Sequence, residues 1–266
     1  MKLFLFAFAL FCGGMACFSQ VKKVYIDANN KVVATNENAV KYLVATIDSL
    51  NHEKANQKAY NMKNQRLAEN NYFISNYNQD GVQRVWNEQN GQLILEEYYK
   101  NGQKEGYHRE WYATGQLHCD VLYANNQMNG ELKTYWPNGK LKRSDKYDMN
   151  KFVDGECFDS IGHTIPHFDY VVNPVFLNGN VSEYLERHVL YPVEAQKNGI
   201  QGKVIVQFVI NKEGSLENVI VIRNAFPDLD KEAVRVVKSM PFWTPGKIDG
   251  EVEDMRFTLP VNFKLK

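Results

Sequence analysis

Glycine recurs along this chain with a period that few folds can satisfy. Two interleaved series, Gly81, Gly106, Gly130, Gly155 and Gly91, Gly115, Gly139, Gly162, repeat at intervals of 23–25 residues. A fixed period of that size marks a repeat architecture, in which one supersecondary unit is stacked many times because it cannot bury its apolar side alone. Between a glycine of the first series and the next of the second lie Val85-Trp86, Glu110-Trp111-Tyr112 and Thr134-Tyr135-Trp136. After the second glycine come Gln92-Leu93, Gln116-Leu117 and Lys140-Leu141, leading to Tyr98-Tyr99, Tyr123 and Tyr147. Each unit reads as strand, turn, strand. Asn138-Gly139 and Asn90-Gly91 predict type I′ hairpin turns, which need positive φ at both central residues, and Asn101-Gly102 marks a connection between units. A fainter copy at 60–67 has one extra residue and Gln65 in place of glycine. Hairpin repeats are therefore expected over 57–165, about five of them, with the Trp and Tyr side chains filling the core of the stack.

Residues 20–56 hold an alternating strand, Lys23-Val24-Tyr25-Ile26-Asp27, a turn at Asn29-Asn30 and an apolar run over 42–47, read as strands leading into the repeat sheet. The asparagines between Asn51 and Asn71 suit turns. Ahead of this, residues 1–19 carry one basic side chain, Lys2, an apolar run from Leu3 to Cys12, and small residues Gly13, Gly14, Ala16 and Ser19. This has the form of a signal peptide cleaved after Ser19, and implies export. An uncleaved anchor and acylation of Cys17 are the alternatives; the apolar stretch over 3–18 would make a helix of about 24 Å against a hydrocarbon core of about 30 Å. Cys12 and Cys17 leave with such a segment, so Cys119 and Cys157 remain, read as two free buried thiols with a disulfide permitted but not implied.

The chain has 31 basic and 31 acidic residues and no basic run, which excludes nucleic acid as the main partner. No Gly-x-Ser-x-Gly elbow, His-Glu-x-x-His, phosphate loop or dinucleotide fingerprint occurs. His163 and His167 with Cys157 and Asp159 come nearest to a metal set, but Pro166 keeps the two histidines off one helix face and the spacing is looser than that of zinc sites. Glu96-Glu97 and the acidic residues of 251–254 read as solvated strand faces. The expectation is a protein with no catalytic residue, no metal and no cofactor.

Near Asn180 the glycine period stops, placing a domain boundary near 175. Val181, Tyr184, Leu185, His188 and Val189 then recur at helical spacing ahead of Tyr191-Pro192, and 193–198 add a turn of helix that Gly199 can end. Residues 202–211 and 216–223 read as strands joined across Lys212-Glu213-Gly214. Asp228, after Pro227, is placed to cap a helix with Leu229, Ala233, Val236, Val237 and Met240 along one side; Pro241 stops it, and 257–265 form a last strand. The fold class is α+β: an antiparallel β hairpin-repeat sheet followed by a small α-β-β-α-β domain over 175–266.

Tyr191-Pro192, Gly202, Gly214, Leu229-Asp230, Met240-Pro241-Phe242-Trp243, Pro245-Gly246, Gly250 and 260–263, in this order, resemble the TonB C-terminal domain, and the hairpins ahead of them resemble MORN-like repeats. Most of these positions are structural; Pro192 and Gly202 set element ends and Trp243 plugs the core between helix and sheet. The resemblance implies a docking module with no catalytic group, to which partners add an extended segment along an exposed sheet edge. The last strand is the candidate edge, with Phe257, Thr258, Leu259, Val261, Asn262 and Phe263 as partner-binding residues and Pro260, which lacks an N–H, limiting pairing on one side. It further implies protein partners, among them a TonB-dependent outer-membrane receptor, and residence in the periplasm of a Gram-negative envelope in the service of outer-membrane transport. Two features depart from the family's energy transducers: no His precedes His52, where the anchor helix carries one, and no Pro precedes Pro137, where a Pro-rich spacer is usual. The alternative is an exported interaction module without an energy-transducing role.

Overall fold

The computed structural model describes residues 23–265. The expected signal segment, with Cys12 and Cys17, lies outside the described residues. The chain divides into two compact units between His167 and Phe168.

In the first unit, β1 (Lys23–Ile26), β2 (Val32–Val33), β3 (Lys41–Ile47), β4 (Lys54–Asn61), β5 (Arg66–Phe73), β6 (Gly81–Trp86), β7 (Leu93–Lys100), β8 (Gln103–Trp111), β9 (Leu117–Ala124), β10 (Gln127–Tyr135), β11 (Leu141–Asp148), β12 (Lys151–Phe158) and β13 (Thr164–Ile165) form one 13-stranded sheet. Neighbours in sequence are neighbours in space, except that β1 lies between β2 and β3. The asparagines expected in turns are partly inside strands: Asn56 Nδ2 donates to Asn71 Oδ1 at 2.9 Å and to Glu69 Oε1 at 3.0 Å, so amide pairs replace apolar ones between β4 and β5.

Two kinds of turn alternate, and the type I′ turns are not where Asn138-Gly139 and Asn90-Gly91 suggest, since only the glycine of each pair has positive φ. They sit at Asn101-Gly102, Asn125-Asn126 and Met149-Asn150, where both residues have positive φ (52 and 81°, 51 and 67°, 47 and 68°). At the opposite ends of these strands, Gly139 N–H donates to Trp136 C=O and Trp136 N–H to Lys140 C=O, both at 2.8 Å. Only Gly139 is left-handed there, at 83°, which defines a type I turn closed by a glycine bulge. The same bond pair closes Asp27 to Lys31, Asn61 to Gln65, Tyr112 to Gln116 and Asp159 to His163. In the faint copy the glycine position is therefore held by Asn64, φ 64°, and not by Gln65. Gly106 and Gly130, for their part, lie inside single strands at register shifts, so they are strand bulges and not turns.

On the face expected to be packed with Trp and Tyr rings, Tyr72 and Tyr147 are buried, but small and polar groups take most of the enclosed positions. Trp86, Trp111 and Trp136 are half-buried. Among the enclosed positions are Leu43, Ala55, Ala59, Ala68, Cys119, Val121, Leu132 and Cys157, together with Gln57, Gln83, Glu97, Thr134, Arg143 and Asp145. Cys119 and Cys157 are free and buried. On the other face, Lys58, Glu69, Arg84, Glu96, Arg109, Asp120 and Lys133 stand directly opposite one another from β4 to β10, with the sign of the charge alternating at every strand. Arg84 reaches Glu96 at 2.7 Å and Glu69 at 3.6 Å, and Arg109 reaches Asp120 at 3.2 Å. Opposite charges facing each other across strands each contribute about 0.2–1 kcal/mol.

The second unit contains β14 (Val171–Val172), β15 (Val175–Phe176), α1 (Val181–His188), α2 (Val193–Lys197), β16 (Gly202–Ile210), β17 (Leu216–Arg223), α3 (Pro227–Lys238), β18 (Trp243–Thr244), β19 (Lys247–Ile248), β20 (Glu251–Val252) and β21 (Met255–Phe263). It begins earlier than residue 175 because β14 pairs with β19 and β15 with β18. The main sheet has the order β17-β16-β21. Alternation along β16 sends Val204, Val206, Phe208 and Ile210 inward, where they meet Leu229, Ala233, Val236 and Val237 of α3. Each such burial is worth about 1.5–3 kcal/mol. Asn180 caps α1, accepting from Ser182 N–H at 2.7 Å. Asp228 does not cap α3: its N-cap is Phe226, and Asp230 ties down the entry by accepting from Ala225 N–H at 3.0 Å and Asn224 Nδ2 at 2.9 Å.

Candidate functional site

Strand β21 pairs with β16 over nine consecutive residues, from Gly202 opposite Phe263 to Ile210 opposite Met255, with no register shift. Among the described residues no second strand lies on its other side. Strand β17 is the other edge of this sheet, but its ladder with β16 shifts twice and Asn218 within it has φ 51°. Bulges blunt an edge against further pairing, so the straight edge is β21. Of the six residues expected to bind a partner, Phe257, Leu259, Val261 and Phe263 send their side chains into the core, leaving only backbone groups to offer. Thr258 and Asn262 are exposed, as are Arg256 and Pro260 between and beside them. The alternation of the strand already carries this division.

The family-type positions gather at the two ends of the β16–β21 ladder. At one end, Tyr191 O–H donates to Ile200 C=O at 2.6 Å and its ring packs edge-on against Phe263 at 5.8 Å. Pro192 opens α2, whose exit Gly199 makes at φ 64°, and a Cβ on Gly202 would press on Ala225. At the other end Trp243, 3% exposed, lies among Phe176, Phe208 and Phe257 at 5.1–6.1 Å. The backbone N–H of Trp243 donates to Gly214 C=O at 2.9 Å. Gly246 lets the backbone pass Met255 and Val172, while Pro241 and Pro245 flank β18. Leu229 is fully buried in α3. These residues shape and brace the edge strand and do not themselves face outward from it.

The first unit holds a buried ionic network that sequence reasoning missed. Glu97, read above as solvated, is 2% exposed. Its carboxylate accepts from Lys104 Nζ at 2.8 Å, His108 Nδ1 at 3.0 Å and Tyr99 O–H at 3.0 Å, while His108 Nε2 meets Glu110 Oε1 at 3.0 Å. A carboxylate at each ring nitrogen favours the charged form of His108, against the Lys104 ammonium 3.3 Å from Nδ1. Burial alone would raise Glu97, but the His108 and Lys104 contacts outweigh it and bring the group from 4.5 to about 2. Burial likewise opposes the charge on His108, and the bonds to Glu110 and Glu97 prevail, raising it above 6.5. The stability contributed by Glu97 is present above pH 4.5 and is lost as pH falls toward 2. That from His108 is complete below pH 6.5 and is lost as pH climbs through its raised value. The urea midpoint of the repeat unit should therefore peak between pH 4.5 and 6.5, and His108→Gln should remove the decline on the alkaline side. A wild-type midpoint flat from about pH 5 to 9 would refute this linkage.

Of the residues weighed as a metal set, the fold gathers Cys157 and His167 with Asp145, ligand atoms within 4.8 Å of one another, and leaves His163 with Asp159 in a separate exposed turn. Arg143 lies in the same place, donating to Asp145 and standing 3.3 Å from His167 Nε2. A guanidinium there neutralises the carboxylate and opposes a second cation.

The second unit is thus a small α+β domain with one straight free sheet edge, and the first a hairpin-repeat sheet. Residues 187–265 match the family described as Gram-negative bacterial TonB protein C-terminal, and residues 128–148 match the MORN repeat variant. No curated protein matches the chain. Two NMR solution structures of the C-terminal domain of Helicobacter pylori TonB are similar to it. One is 27% identical, covers 32% of this chain and 90% of that one, and has a TM-score of 0.27; the other has 26%, 34%, 89% and 0.26. The TonB C-terminal match falls within the second unit, and the MORN-variant match falls on β10 and β11 of the first.

Proposed function

We propose that this is a periplasmic docking protein of the Gram-negative envelope, whose C-terminal domain takes an extended segment of an outer-membrane receptor along β21 and so serves transport across the outer membrane. The observation that carries this reading is the nine-residue ladder of β21 with β16, unbroken on one side and, among the described residues, without a strand on the other. An added strand gains affinity from backbone hydrogen bonds and selectivity from the side chains of one face, here Arg256, Thr258 and Asn262. The TonB C-terminal match supports protein partners of this kind, and the signal-like form of residues 1–19 supports export. Hydrogen exchange of the full chain with a peptide from the periplasm-facing segment of a receptor should show added protection in 255–263 and none in β17. Unchanged exchange over 255–263 at saturating peptide would overturn the proposal.

A further inference from the structure

The repeat sheet ends on an edge whose missing neighbour can be deduced from its own earlier units. At the type I′ turns Asn125-Asn126 and Met149-Asn150 the second residue clamps the backbone of the preceding hairpin with two bonds, whereas at Asn101-Gly102 the second residue reaches back only with its N–H, to Gln79 C=O at 2.7 Å. Asn126 Oδ1 accepts from Lys104 N–H at 2.7 Å while Asn126 N–H donates to Lys104 C=O at 3.0 Å. One unit later, Asn150 Oδ1 accepts from Met128 N–H at 2.7 Å and Asn150 N–H donates to Met128 C=O at 2.8 Å. The next equivalent position is Phe152, which stands opposite Tyr147 as Met128 stands opposite Tyr123 and Lys104 opposite Tyr99. By that equivalence its N–H and C=O face away from β11, toward where another hairpin would lie.

No described residue takes them. Strand β13 pairs with β12 only at Cys157 and Phe158, because Pro166, without an N–H, cannot extend the ladder and His167 turns its ring inward to Asp145. Phe152 and Val153 are 41% and 53% exposed, although Phe152 also stacks on His167 at 4.4 Å. An edge that combines free backbone groups with exposed apolar side chains is a site for strand addition.

We infer that the outer edge of β12 over 151–154 docks a β-hairpin of a partner protein whose two-residue turn carries asparagine in second place, the amide clamping Phe152 as Asn126 clamps Lys104 and Asn150 clamps Met128. The commitment to asparagine rests on the two turns nearest this edge, where one residue presents a side-chain acceptor and its own N–H to the same peptide unit at positive φ, 67° at Asn126 and 68° at Asn150. The site lies in the repeat unit, apart from β21, and its success or failure is independent of receptor docking there.

The probe is a cyclised hairpin peptide of residues 145–155, which contains the Met149-Asn150 turn, added to the full chain. The amides of Phe152 and its neighbours in 151–154 should shift and exchange more slowly, and the Asn150→Ala peptide, held in the same shape by cyclisation, should bind on the order of tenfold more weakly. Absence of any effect at 151–154, or equal binding by the Asn150→Ala peptide, overturns the inference. Protection of the same amides on concentrating the chain alone would also overturn it, assigning the edge to a second copy.

Discussion

Arg143→Met is expected to destabilise the repeat unit by about 3–5 kcal/mol, the cost of leaving a buried carboxylate without its charge partner. Arg143 and Asp145 are both fully buried side chains on β11, and the guanidinium is hydrogen-bonded to the carboxylate. His167 stays within 3.2 Å of Asp145 but is itself partly exposed, so it cannot compensate in full. Gly155 belongs to the same arrangement, since a Cβ there would overlap the Asp145 carboxylate. The double variant Arg143→Met, Asp145→Leu removes both charges and should recover most of the loss, because breaking a buried pair costs far more than replacing it. Native-state exchange of the β10–β12 amides measures this. A single variant within about 1 kcal/mol of wild type would mean that water reaches the pair.

Gly214→Ala should cost the C-terminal domain about 2–4 kcal/mol, from a left-handed backbone at φ 85° together with a methyl group placed on the Trp243 carbonyl oxygen. Trp243 cannot retreat, being fixed among Phe176, Phe208 and Phe257. Gly139→Ala is the control: its φ is 83°, yet the new Cβ would meet only the movable end of Gln116 at 3.2 Å, so about 1 kcal/mol is expected. Thermal unfolding followed through the near-ultraviolet signal of each unit separates the two. Equal losses would show that the Trp243 contact adds nothing to the backbone term.

The parts legible in the sequence are those written in local patterns. The glycine period yields the hairpins, and alternation in 204–210 and helical spacing in 229–240 yield the second unit, since each records which side of one element is buried. Turn type was less legible: Asn138-Gly139 looks like a type I′ pair, but the two residues before it, Trp136-Pro137, take part in a longer turn, while Met149-Asn150 forms the true type I′ turn without glycine. The buried network was not legible because it is a property of register. Glu97 of β7 meets His108 of β8 across the ladder, and His167 reaches back from beyond β13 to Arg143 and Asp145 of β11, so nothing adjacent to either cluster in sequence marks it as enclosed. The candidate edge was placed in β21 from the family resemblance, whereas the bulges that set β17 apart from it emerge only in the ladder.

The alternating charges on the open face of the repeat sheet also act as an error check on assembly. Units this similar in sequence could exchange strands within one chain or between two chains. The row gives β4, β6, β8 and β10 a basic residue and β5, β7 and β9 an acidic one. Any pairing of two strands of the same parity in this register sets like charges face to face, and any pairing of opposite parity restores attraction. A strand of β8 type therefore disfavours its own counterpart in another molecule, Arg109 against Arg109, and the row acts as a parity code that biases each strand toward neighbours of opposite parity.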